Sequence, residues 1–285
     1  MPGLEDIAGR AFGPFQVDVS ASRVRDLVEA TGDDPDRWTG HAPPSFANAI
    51  LFEVAPAFLD DEMVRRFTRS LIHSDQAFSW AGPLPVGGSV EVHGVVESIR
   101  ERSGINLATF SLEATSDQGP WLRGSSVFLL SDSTASRSDD EPEPAPGLRP
   151  AIDTMTQVAL PHPGEQLGVL RVGAARIDLV KYAAATGDWN PIHWDHDSAR
   201  NAGLPGTIAH GLLMTAWLGR AASRFASGPH PLASMRARFR SPLRPGASAE
   251  VTGTVVTVDE TGAELDLALA SGGDRKVTAR VRVTR

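Results

Sequence analysis

Residues 182–219 read Tyr182-Ala-Ala-Ala-Thr-Gly187-Asp188-Trp-Asn190-Pro191-Ile-His193-Trp-Asp195-His-Asp-Ser-Ala199-Arg-Asn-Ala-Gly203-Leu-Pro-Gly206-Thr-Ile208-Ala-His210-Gly211-Leu-Leu-Met-Thr-Ala-Trp-Leu-Gly219. A helix over 177–185 ends at Thr186-Gly187, because glycine takes the left-handed conformation that closes a helix. Pro191 forbids its continuation. Asp188 and His193 therefore flank an Asn190-Pro191 turn on a tight loop rather than on one helical face. Asp195 is a candidate N-cap for a short helix through Ala202, which Gly203-Leu-Pro205 ends. His210-Gly211 then opens the most apolar helix of the chain, about 209–224.

The order loop, buried helix, strands occurs twice. Ala30-Thr31-Gly32-Asp33 matches Ala185-Thr186-Gly187-Asp188 155 residues later, and Pro83-Leu84-Pro-Val-Gly87-Gly-Ser89-Val-Glu91-Val92 matches Pro242-Leu243-Arg-Pro-Gly246-Ala-Ser248-Ala-Glu250-Val251 159 residues later. Two anchors in the same order at nearly equal offset indicate a tandem duplication of one α+β unit, a long helix wrapped by an antiparallel sheet. The copies differ at the loop. Trp38 stands where the second copy has His193, and nothing in the first reproduces His210-Gly211 before its helix. One functional site per chain follows.

In the first copy, Phe15-Gln-Val17-Asp-Val19 alternates, Ser20 or Ser22 caps a helix through Ala30, and residues 45–59 are apolar nearly all round, which predicts a buried helix. Pro56 is expected to kink that helix or end its regular part. From Phe67 the texture changes to strands, with hairpin-spaced candidates at 90–99, 106–114 and 121–130. The second copy offers strands at 233–239, 249–258, 263–270 and 277–284, the first and last alternating strictly. Residues 131–150 are polar, acidic and Pro-rich, the composition of a solvated linker. The expected organisation is a degenerate unit over 1–130, this linker, and a functional unit over 151–285.

Composition sets outer limits. The 285 residues include no cysteine, which excludes disulfides, thiolate metal sites and cysteine nucleophiles. A net charge of −8 argues against a general nucleic-acid binder. No apolar run approaches the ~20 residues of a membrane span, and the N-terminus lacks a basic region followed by an apolar run, so a cytoplasmic protein is expected.

A carboxylate and an imidazole converging on one water form a proton-transfer pair. The N–H groups opening the 211 helix lack helical partners and lie at the positive end of its dipole, so Gly211 offers an oxyanion hole that a ligand can approach closely. Acid–base groups beside such a hole suit reversible addition of water across a conjugated C=C. Each piece also has a plain reading. Asp after Thr-Gly is most often a turn residue, His210 reads as a structural residue at the helix start, and Leu212, Leu213, Met214, Trp217 and Leu218 read as core. The spacing of His193, Asp195, His196 and Asp197 fits neither zinc nor calcium signatures, so no metal is expected. Arg236, Arg238, Arg240, Arg244, Arg280, Arg282 and Arg285 read as a solvated strand face. Its functional alternative is a landing patch for coenzyme A or carrier-protein phosphates, with Arg236, Arg238 and Arg240 as the candidate contacts. His73-Ser-Asp75 either lines the pocket or supports an interface.

Tyr182, Gly187-Asp188, Asn190-Pro191, His193, Asp195, Ala199, Gly203, Ile208 and His210-Gly211 together resemble the hydratase motif of the (R)-specific enoyl-CoA hydratases, or MaoC-like dehydratases. The whole chain resembles their double-hotdog members, in which a degenerate N-terminal hotdog precedes a catalytic one, and His73-Ser-Asp75-Gln76 is similar to a His-Gly-Glu-Gln pattern of that first half. The resemblance implies two hotdog units side by side. It implies that Asp188 and His193 hold a water that adds to Cβ of a trans-2-enoyl thioester, giving a (3R)-hydroxyacyl thioester, with Gly211 N–H on the thioester oxygen. Which of the pair is acid and which is base stays open. Asn190 would orient the loop, with Tyr182 and His210 supporting the site. No cofactor is implied beyond coenzyme A or phosphopantetheine on the substrate. The implied partners are an acyl-CoA or acyl-carrier-protein and a second copy in a homodimer of double hotdogs. Gly219 departs from single-hotdog members that place a serine there. Other readings are a branched dicarboxylyl or ketide thioester substrate, a non-catalytic acyl-thioester-binding subunit, and a thioesterase.

Overall fold

The computed structural model describes residues 4–68, 70–132, 152–154, 159 and 162–285. The expected linker over 131–150 lies, apart from 131 and 132, outside the described residues.

The first half carries β1 (Ala11–Asp18), α1 (Ala21–Thr31), β2 (His41–Ala42), α2 (Phe46–Leu59), β3 (Ser70–Trp80), β4 (Leu84–Pro85), β5 (Ser89–Arg102), β6 (Ile105–Ser116) and β7 (Gly119–Ser131). The second carries β8 (Leu170–Val172), α3 (Arg176–Thr186), α4 (His196–Asn201), α5 (Gly211–Ser223), β9 (Leu232–Phe239), β10 (Ala249–Asp259), β11 (Gly262–Ser271) and β12 (Asp274–Thr284). Ten strands form one antiparallel sheet in the order β1-β5-β6-β7-β3-β9-β12-β11-β10-β8. Five strands from each half read outward in matching order from the β3–β9 seam, where Asp75 faces Arg238 and Phe78 faces Met235. α2 lies against β1, β5 and β6, and α5 against β9 to β12. This is the tandem hotdog arrangement: two helix-on-sheet units fused edge to edge.

Matching local chemistry ends the first helix of each unit. Ser20 Oγ caps α1 by accepting from Arg23 N. Gly32 closes α1 at φ 66°, and Gly187 closes α3 at φ 85°. Thr31 and Thr186 each donate to the carbonyl four residues back, Leu27 and Tyr182. The helices then pack across the units: α1 against α3, α3 against α2, and α1 against α5. Asp188, at the end of α3, is therefore delivered to the face of the other unit's central helix.

The buried helix expected over 45–59 is α2, which runs through Pro56 to Leu59. Pro56 lies in its last turn, where one lost N–H bond is tolerable and Asp60 N still reaches Pro56 O at 2.9 Å. α5 begins at Gly211, with His210 as its N-cap, where the His-Gly pair is expected to open it. No helix among the described residues is long and apolar enough to cross a membrane.

Candidate active site

Asp188 follows the left-handed Gly187 directly. A Cβ on Gly187 would sit 3.6 Å from Phe52 Cβ of α2, so the turn is seated against the first unit. Asn190 caps the 3₁₀ turn Pro191–His193 by accepting from Ile192 N at 3.3 Å, and its own N–H approaches Asp188 Oδ1 at 3.4 Å. Asn190 thus ties Asp188 to the start of the 3₁₀ turn. Asp195 Oδ1 caps α4 through the N–H groups of Asp197 and Ser198.

Asp188, His193 and His210 are buried, and each offers an oxygen or nitrogen within 4.8 Å of the others. Burial pushes the Asp188 carboxyl up to about 7 and the His193 imidazole down to about 4. His193 Nδ1 is 2.9 Å from Ile208 O. A carbonyl only accepts, so Nδ1 carries the hydrogen and Nε2 keeps its lone pair. By the same logic His210 Nε2–H donates to Asp188 O at 3.2 Å. The His193 and His210 rings stack with centroids 3.8 Å apart, and the Tyr182 ring lies 4.8 Å from His210. Burial holds His210 well below the usual imidazole range, reinforced by His193. The trio is close enough to hold a metal ion, and His210 comes to it from a separate element, the start of α5, so the spacing of 193–197 does not reveal the grouping. Each ring, however, already spends one nitrogen on a backbone carbonyl.

Gly211 is partly exposed while the rest of α5 is buried, and its N–H is among those that open the helix without a helical partner. A Cβ there would meet the Phe239 ring at 3.0 Å, which fits a glycine. Phe239 in turn touches His73 from β3, with ring centroids 5.1 Å apart. His73 therefore lies behind Gly211, on the far side of Phe239, while Asp75 bonds Arg238 across the seam at 2.8 Å.

The arginine face is not gathered with this site. Met235, Ala237 and Phe239 turn inward on β9, so Arg236, Arg238 and Arg240 take the opposite, exposed face. Acids answer several of these cations: Asp75 on Arg238, Glu264 and Asp266 on Arg280, and Asp259 on Arg282.

The corresponding place in the first unit is filled differently. Asp33 faces Arg220 of α5 at 3.9 Å, both side chains largely buried. Trp38 is buried, and Ser45-Phe46 opens α2 where His210-Gly211 opens α5. Arg220 was not singled out in the sequence; a lone arginine in the apolar run 211–223 was its signal.

Residues 156–269 match the MaoC like domain. Over 284 residues the chain is 25% identical to the 3-hydroxyacyl-thioester dehydratase X of Mycobacterium tuberculosis, covering 99% of this chain and 92% of that protein. A stretch of 92 residues, 31% of this chain, is 33% identical to a UPF0336 protein of Cutibacterium acnes and spans 65% of its length. The solved structure of a MaoC-like dehydratase superposes with a TM-score of 0.82 at 21% identity over 99% of both chains. A Mycobacterium tuberculosis protein with a double hotdog fold superposes with a TM-score of 0.66 at 13% identity, over 99% of this chain and 98% of that one. At these identities the structural likenesses establish the fold.

Proposed function

We propose, from the match of residues 156–269 to the MaoC like domain, that this chain is a hydro-lyase for acyl thioesters, adding water to a trans-2-enoyl thioester and removing it from the (3R)-hydroxyacyl product. The observation that carries the reading is the buried Asp188–His193 pair beside the N-terminus of α5. The dehydratase name of the Mycobacterium tuberculosis relative that matches almost end to end supports the same chemistry.

In this reading the thioester oxygen accepts from Gly211 N–H, where the α5 dipole stabilises enolate charge. A water held between Asp188 and His193 Nε2 attacks Cβ. Asp188 takes its proton as the carboxylate, and a proton from the pair reaches Cα on the same face. The pair acts as one unit, so its two ionisations belong to the site rather than to either residue. Tyr182, Asn190 and His210 hold the pair in place. Coenzyme A or phosphopantetheine arrives on the substrate, and no separate cofactor or metal enters the steps. Purified protein given crotonyl-CoA and longer trans-2-enoyl-CoA esters should consume the conjugated double bond and release the (3R)-hydroxyacyl ester. Formation of free thiol without hydration would point to a thioesterase instead.

A further inference from the structure

α2 belongs to the unit that lacks the acid–base pair, yet one side chain in its apolar length faces the other unit's site. Asn48 is 2% exposed, and its Nδ2 donates to Tyr182 Oη at 3.1 Å and to Leu212 O at 3.0 Å. Leu212 O also accepts from Thr215 Oγ1 at 2.8 Å, so the first turn of α5 is satisfied without Asn48. Among the described residues, the Tyr182 hydroxyl takes its hydrogen bond from Asn48. A buried amide in an apolar helix is costly unless bonded, so its presence needs a reason beyond packing.

The contacts supply one. Asn48 fixes the Tyr182 hydroxyl, the Tyr182 ring lies against His210, His210 stacks on His193, and His210 Nε2–H holds the Asp188 carbonyl. Because Tyr182 Oη accepts from Asn48, its own proton points elsewhere, which fixes the rotation of the phenol. We propose that Asn48 is a positioning residue of the second unit's acid–base pair, acting through Tyr182 and His210, and that this is one task retained by the first unit. Its kinetic consequences rest on the hydratase reading. Asn48 touches no reacting atom, so it sets the geometry of the pair rather than moving a proton.

The test compares Asn48→Leu, Tyr182→Phe and the double variant in the full chain. Displacing an acid–base pair by a fraction of an ångström lowers kcat by about tenfold to hundredfold, while KM stays within about threefold. Because both changes break one chain of contacts, the double variant should be no worse than the more damaging single. Losses that multiply, or unchanged kcat in folded Asn48→Leu, would overturn the proposal. If Asn48→Leu does not fold, Asn48→Asp keeps the size and forces Tyr182 to become the donor. It should lower kcat equally and move the pH at which the Asp188 carboxyl titrates, read by carbon NMR. An unmoved titration in a folded variant would also overturn it. That readout needs no turnover, so an inactive wild-type protein would refute the hydratase reading while leaving the NMR result to decide the role of Asn48.

Discussion

His193 and His210 stack at a centroid distance of 3.8 Å with their planes 26° apart, and each has one ring nitrogen on a backbone carbonyl. Two imidazoles so close and so buried cannot both be protonated, which leaves Asp188 as the group that titrates near neutrality. Its carboxyl sits near 7 because burial disfavours its charge. If the carboxylate is the base, kcat/KM for hydration should rise about tenfold per pH unit below 7 and level off above it. A pH–rate profile flat between pH 5 and pH 8 would contradict this assignment.

The same shift has a consequence for stability. An acid held at about 7 when folded, against 3.8 when unfolded, binds its proton more tightly in the folded state. That contribution is fully present below 3.8 and is lost as pH rises through 7, a cost on the order of 4 kcal/mol above that pH. Asp188→Asn removes the titration. Its unfolding midpoint should therefore exceed that of the wild type by a margin that grows from pH 4 to pH 8, as denaturant unfolding at the two pH values will show.

Gly211 combines two requirements that one substitution separates. Gly211→Ala favours the helix by up to about 1 kcal/mol, but its Cβ would meet the Phe239 ring at 3.0 Å. We expect unchanged or slightly raised stability with kcat/KM lowered at least about tenfold, the scale of a disturbed oxyanion site. Adding Phe239→Leu should recover part of that activity.

Asp33 of the first unit and Arg220 of α5 in the second form a largely buried pair. Arg220→Met leaves a buried carboxylate without its cation and should cost about 3–5 kcal/mol, part of which Asp33→Asn restores in the same background. Asp33→Asn alone should leave kcat within about twofold of wild type. A large loss of kcat in that variant would argue against one site per chain.

What the sequence makes legible follows interaction range. Asp188, Asn190, Pro191, His193 and Gly211 lie within one loop and one helix start, so spacing and turn chemistry place them, and the Thr-Gly-Asp repeat exposes the duplication. The β3–β9 seam joins strands about 160 residues apart, and no local pattern encodes that register. The Arg face reads as a cationic cluster until cross-strand pairing brings Asp75, Asp266 and Asp259 beside it. Asn48 is one amide in an apolar helix, and only the packing of α2 on α3 shows what it meets.

The most direct test of the account is turnover of a trans-2-enoyl-CoA ester by wild type, Asp188→Asn and His193→Gln, with the configuration of the product determined. Wild type should form the (3R)-hydroxyacyl ester, and each variant should lower kcat by at least ~100-fold while remaining folded. Full activity in both variants would contradict the assignment of the site to Asp188 and His193.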